Sequence, residues 1–285
     1  MPVVAFIFAC ILGVSSQSAP QDVSARLDKD QVQVFVAGKL FTCYKFAKDQ
    51  KYPYFWPVNG PASGKSITTE TSEPYPHHHS LFFGCDRVNG GNYWQEGNER
   101  GQIVSIGPKI IADCGQQVVF TDKCLWQQPE KKPIIMDVRR IVISAASESL
   151  RFIDFEITLD PLTDIHILKT NHSLFAARVV PELSVGSGGT LVNAEGKPAR
   201  KARLASPRRG VTIRARAMAS PRASPFCSIR PIAGFRANGS PATTGSSRRP
   251  PCSGSKKDNW SCPRAKFSPC AIGWSFTPAM LKRQI

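Results

Sequence analysis

The chain has 285 residues and a formal net charge of +16, and 41% of its residues are hydrophobic, which is length and apolar material enough for one sizeable domain. The charge is lopsided: residues 198–285 hold 18 Lys and Arg against the single acid Asp258, while residues 1–197 hold 19 basic and 20 acidic residues. The front two-thirds therefore carries no basic footprint for nucleic acid, and no specific nucleic-acid partner is expected.

In chain order, Val3–Val14 (VVAFIFACILGV) is one apolar run of signal-peptide length, shorter than the roughly 20 residues a membrane span needs. Small residues follow, so residues 1–18 read as a leader cleaved after Ser16 or Ser18. The mature chain is then expected to be secreted or periplasmic, with no membrane span after cleavage. Export permits disulfides among Cys43, Cys85, Cys114 and Cys124; Cys114 and Cys124 could close a small loop.

Residues 19–197 are expected to form one domain. Val32, Val34 and Val36 alternate with Gln31, Gln33 and Phe35, the period of a strand. Ala37-Gly38-Lys39 suits a turn and Leu40–Phe46 the return strand. Residues 47–101 are irregular and rich in Tyr, Trp, Pro, Gly and His, the composition of site-bearing loops on a β scaffold. Arg139–Ser144 and Leu150–Leu159 pair around Ser147–Ser149. In the second of these, Ile153, Phe155, Ile157 and Leu159 share one face, and Asp154, Glu156 and Thr158 share the other. Ile165–Thr170, Leu174–Val180 and Thr190–Ala194 continue the pattern. No segment sustains a helical period, so the fold is expected to be an all-β antiparallel sandwich or barrel.

At Lys197/Pro198 the pattern stops. Residues 198–285 are rich in Arg, Ser, Pro and Ala, with Cys227, Cys252, Cys262, Cys270, Trp260 and Trp274 scattered without period. Low apolar content predicts disorder. Solvated basic arms avoid Cys and Trp, so a displaced reading frame explains this text better. Plausible codons for Cys270–Met280, shifted by one base, read LRYRLVVHAGDA, an amphipathic strand and turn. Codons for Ala242–Pro269 likewise give DYGFFSPTPMFWLEEGQLELPKGEVLT. On that reading the sandwich is truncated, its edge strands lack partners and the chain is inactive.

Four segments carry candidate chemistry. Gly60–Ser66 imitates a phosphate loop but has three residues between its glycines where the motif needs four, and a plain loop is expected. His77-His78-His79 sets three imidazoles together, able to transfer protons or hold a metal; an extended backbone would turn His77 and His79 one way and His78 the other. Asp86-Arg87-Val88-Asn89-Gly90-Gly91-Asn92-Tyr93-Trp94-Gln95-Glu96 offers acids, amides and aromatic faces suited to a sugar. His172 and Arg178 flank a strand, and Glu195 stands at another strand's end. Asp86 and Glu96 are candidate acid/base groups beside His77, His78, His79 and His172. Arg87, Asn89, Asn92, Tyr93, Trp94, Arg178 and Glu195 are candidate ligand contacts.

YPHHHSLFFGCDRVNGGNYWQE (Tyr75–Glu96), TNHSLFAAR (Thr170–Arg178) and GGTLVNAEGK (Gly188–Lys197) resemble a family of exported bacterial proteins of unknown function, often labelled methane oxygenase PmoA. The resemblance covers about Gln31–Lys197. It implies a β-sandwich akin to the large sandwiches of sugar mutarotases and polysaccharide enzymes. The expected function is a carbohydrate-active or carbohydrate-binding protein without a cofactor. The alternatives are a metal-dependent oxidoreductase, with a divalent transition metal on His77, His79, Glu96 and His172, and a non-catalytic binding module.

Overall fold

The computed structural model describes residues 19–71, 73–95, 97–170, 172–187 and 189–193, and the segments 211–214, 226–232, 260–262 and 270–276. The expected leader, Glu96 and Glu195 lie outside the described residues.

Two antiparallel sheets pack face to face, the sandwich expected of this pattern. The first grows from the hairpin of β1 (Val23–Asp28), β2 (Gln31–Val36) and β3 (Lys39–Lys45), and continues through β4 (Tyr54–Val58) to β5 (Leu81–Val88). On β5 pair β6 (Gly91–Tyr93) and, further along the chain, β13 (Ile165–Ile167) and β14 (Ser173–Ala177). Beyond β1 lies β9 (Cys114–Gly115). The second sheet is built on β10 (Gln117–Gln127), β11 (Ile135–Ser147) and β12 (Leu150–Pro161), with β7 (Gln102–Ser105) and β8 (Lys109–Ala112) against β10. It is completed by β15 (Thr190–Asn193), β16 (Val211–Arg214), β17 (Phe226–Ile232) and β19 (Cys270–Phe276), while β18 (Trp260–Cys262) joins the first sheet beside β13.

Alternation explains the core. Val32, Val34 and Val36 of β2 are all buried, and the tight turn after them puts Ala37 and Gly38 at positive φ (47° and 74°), as a two-residue hairpin demands. On β12, Ile153, Phe155 and Ile157 are buried on the expected face. Aromatic contacts join the sheets: Tyr44 meets Phe120 at 5.5 Å, and Phe83 meets Trp126 at 6.1 Å. Each buried aromatic of this kind stabilises by about 1.5–3 kcal/mol.

The inter-sheet core also holds a polar network the sequence did not reveal. Asp137 takes two bonds from Arg139, at 2.9 and 3.1 Å, and one from the indole of Trp126 at 2.8 Å. Tyr44 donates to Asp122 at 2.8 Å, and Arg139 donates to Tyr44 at 3.3 Å. Ser105 closes the network on Asp122 at 2.7 Å. Burial raises the Asp122 carboxyl above its ordinary value, against the pull of Arg139 and its hydrogen bonds.

Two expectations need correction. Cys43, Cys85, Cys114 and Cys124 are all free thiols, so the proposed Cys114–Cys124 loop is absent: Cys114 is exposed, whereas Cys124 is buried and donates to Asp122. The His77–His79 segment is not extended: the His78 amide donates to the Tyr75 carbonyl at 3.0 Å and turns the chain. Within 198–285, four segments are described as strands, of which β19 pairs with β12 and β18 with β13. The remainder of that expected disordered tail lies outside the described residues. Gly60–Ser66 is a loop closed by backbone bonds between Gly60, Gly64 and Lys65.

Candidate functional site

The strand β5 is apolar on both faces and therefore shows no alternation. Its odd positions face the second sheet, since Phe83 and its partner Phe175 both reach Phe155. Its even positions face away, under the loops of residues 59–80 and 94–100, where Phe82 packs against Tyr52 at 4.5 Å and Trp94 at 4.7 Å. The candidate site lies on this outer face.

One register assembles it. β14 runs antiparallel to β5 with Ser173 opposite Cys85 and Ala177 opposite Leu81. The ladder extends at both ends, through Asp86 N–H to the His172 carbonyl at 3.0 Å and Arg178 N–H to the Ser80 carbonyl at 2.6 Å. His172 thus stands across from Asp86 on one face, and its Nδ1–H donates to Asp86 Oδ2 at 3.1 Å. At the other end the Arg178 guanidinium reaches Nδ1 of His78.

Arginine can only donate, so Nδ1 of His78 accepts and Nε2 carries the proton. The imidazole is neutral: burial above all, then Arg178 and the neighbouring histidines, lower its pKa to about 4. Its ring lies 4.3 Å from His77, 5.2 Å from Tyr75 and 6.4 Å from Trp94, and Trp94 lies 6.0 Å from His172. Tyr75, His77, His78, Trp94, His172, Asp86 and Arg178 form one contiguous cluster.

Four of its buried polar atoms have no hydrogen-bond partner: His78 Nε2, Trp94 Nε1, Arg178 Nε and Asp86 Oδ1. His78, Trp94 and Asp86 are only 6%, 5% and 6% exposed. Unsatisfied polar atoms in native interiors are rare, and four along the chain Arg178–His78–Trp94–His172–Asp86 mark a place built for something polar. At the Asp86 end opens a cleft of about 330 Å³ lined by Asp86, Arg87, Lys169, Thr170 and His172.

Other sequence candidates are placed elsewhere. His79 stacks on Tyr54 at 4.5 Å and donates Nδ1–H to the Glu70 carbonyl at 2.9 Å, apart from the His77–His78 pair. Tyr93 is buried in the core against Trp126 at 5.0 Å, because alternation sends it to the face opposite Trp94. Asn92 accepts from the amides of Trp94 and Gln95, each at 3.0 Å, and holds the turn that presents Trp94. Asn89 braces the β5–β6 hairpin against β13 through Asp164 and His166, at 2.8 and 2.7 Å. Arg87 is exposed at the cleft, 3.2 Å from the Lys169 carbonyl. Among the described residues no group of three or more His, Cys, Asp or Glu could hold a metal ion. Sequence reasoning missed Tyr75, whose ring is 54% exposed beside His78. Its position between two prolines, holding it at the surface, was the available signal.

The protein is thus an all-β sandwich with a polar, aromatic cluster on the outer face of one sheet. It belongs to the family of unknown function DUF6807, which matches residues 31–223 and so runs past the composition break. No curated protein and no solved structure matches it. Among the described residues, no helix is long and apolar enough to cross a membrane.

Proposed function

We propose that this chain is an exported carbohydrate-binding protein whose site is the Tyr75–His78–Trp94–Asp86–His172–Arg178 cluster, equipped for acid/base chemistry on the bound sugar. The observation that carries the reading is the set of four unpartnered buried atoms, of which the one on Asp86 belongs to the wall of the cleft. Sugar oxygens suit His78 Nε2–H, Trp94 Nε1–H and Arg178, a sugar hydroxyl suits Asp86 Oδ1, and the exposed face of Tyr75 suits the C–H face of a ring. His172, partly exposed and held by Asp86 at the wall of the cleft, is the candidate for exchanging a proton with a bound sugar. Every one of these residues precedes the break at Lys197/Pro198, so a displaced frame beyond it would leave the cluster's sequence intact.

Within DUF6807 the resemblance of the motifs Tyr75–Glu96 and Thr170–Arg178 to the exported proteins labelled PmoA supports the exported reading. The oxidoreductase reading needs His77 and His79 together; the stacking of His79 on Tyr54 favours the carbohydrate reading. The test is calorimetry of the full chain against a broad glycan panel, with Tyr75→Ala as the variant because its ring is exposed. At least one glycan is expected to bind and to bind more weakly to the variant. Flat heats across the panel would overturn the proposal.

A further inference from the structure

We infer that the sugar this site takes carries a carboxylate, a uronic acid residue, held by Arg178, His78 and Trp94. The inference rests on the carbohydrate reading above and names the class of sugar.

Charge balance leads to it first. Asp86 and Glu70 already have partners: Asp86 holds His172, and Glu70 holds Lys45 and Tyr54. Arg178 is half-buried, its side-chain hydrogen bond goes to a neutral imidazole, and among the described residues it pairs with no carboxylate. A guanidinium withdrawn from water without a counter-charge is costly, and the planar fork of arginine matches a carboxylate. Arg87 adds further positive charge at the cleft.

The sex of the orphan atoms leads there independently. His78 Nε2, Trp94 Nε1 and Arg178 Nε are all donors, and Asp86 Oδ1 is the one acceptor. A neutral sugar offers hydroxyls that both give and take. Three donors beside an unbalanced cation suit a group that only accepts, and a carboxylate is such a group.

The experiment is calorimetry of the full chain with oligogalacturonate, with the matching neutral galactose oligomer and with inorganic phosphate. The Arg178→Gln and Arg178→Lys variants are measured alongside, each checked by thermal melting. The acidic oligomer is expected to bind about tenfold or more tighter than the neutral one, the worth of a charge-assisted hydrogen bond. Arg178→Gln should erase that preference, and Arg178→Lys should keep part of it. Equal binding of both oligomers overturns this inference and leaves the carbohydrate reading standing. Phosphate binding as tightly as the acidic oligomer shows an anion site without a sugar and overturns it too. Binding of neither oligomer while other glycans bind also overturns it, whereas silence across the whole panel removes the parent reading.

Discussion

The guanidinium of Arg178 donates to Nδ1 of His78, 100 residues earlier in the chain, and fixes that imidazole as a neutral Nε2–H donor. Arg178→Gln removes the cation but leaves the burial, which is the larger cause of the lowered pKa. The His78 midpoint should therefore rise from about 4 partway toward the ordinary value near 6.5. Long-range nitrogen–proton NMR of the imidazole reads both midpoint and tautomer. An unmoved midpoint would contradict the assignment.

The same depressed pKa links the fold to pH. The unfolded chain protonates His78 near 6.5, whereas the folded one resists until about 4. Between those values the unfolded state binds more protons, so the contribution is present above about 6.5 and is lost as pH falls toward 4. Thermal melts across that window should show a shallower pH slope for His78→Gln than for the parent. Identical slopes would mean that His78 titrates alike in both states.

The Asp137–Arg139 pair sits in the dry space between the sheets, with Trp126 and Tyr44 completing its bonds. Arg139→Met strands a buried carboxylate and should cost about 3–5 kcal/mol in urea unfolding. Adding Asp137→Leu should restore much of that loss, because both charges then leave together. A near-neutral single variant would show that water reaches the pair.

Gly84 allows β6 to close on β5. A Cβ there would lie 2.6 Å from the Tyr93 carbonyl, a backbone atom that cannot swing aside. Gly84→Ala should push away the strand that leads into Trp94, lowering both melting temperature and glycan affinity. An unchanged affinity would show that Trp94 is placed by its other neighbours.

Free thiols in unequal surroundings predict unequal labelling. Cys114 is exposed, whereas Cys43, Cys85 and Cys124 are buried, and burial pushes the Cys85 thiol up to about 12. Peptide mapping after brief alkylation of the native protein should find Cys114 modified and those three protected. Linked Cys114–Cys124 peptides would refute the free-thiol assignment.

Much of the scaffold is written locally. The valines of β2, the turn at Ala37-Gly38 and the alternating face of β12 each follow from a period of two, because a half-buried strand must sort apolar from polar side chains. Strands buried on both faces gave no such signal: β5 reads LFFGCDRV, apolar almost throughout, and was hidden inside an apparently irregular stretch. The polar network on β10 and β11 was equally hidden, since charged residues at inward positions look like solvent-facing ones until a partner sheet is known.

Sequence alone therefore determined the all-β class, the break at Lys197/Pro198 and the cluster of imidazoles, for these are properties of neighbours along the chain. Tertiary structure decided which of those groups meet. It paired His172 with Asp86 and Arg178 with His78, sent Trp94 outward and Tyr93 inward, and turned His79 aside onto Tyr54. The physical reason is the β5–β14 register: a slip of one residue would turn His172 and Arg178 to the opposite face, and no local pattern in either strand specifies which residue of the other it must face.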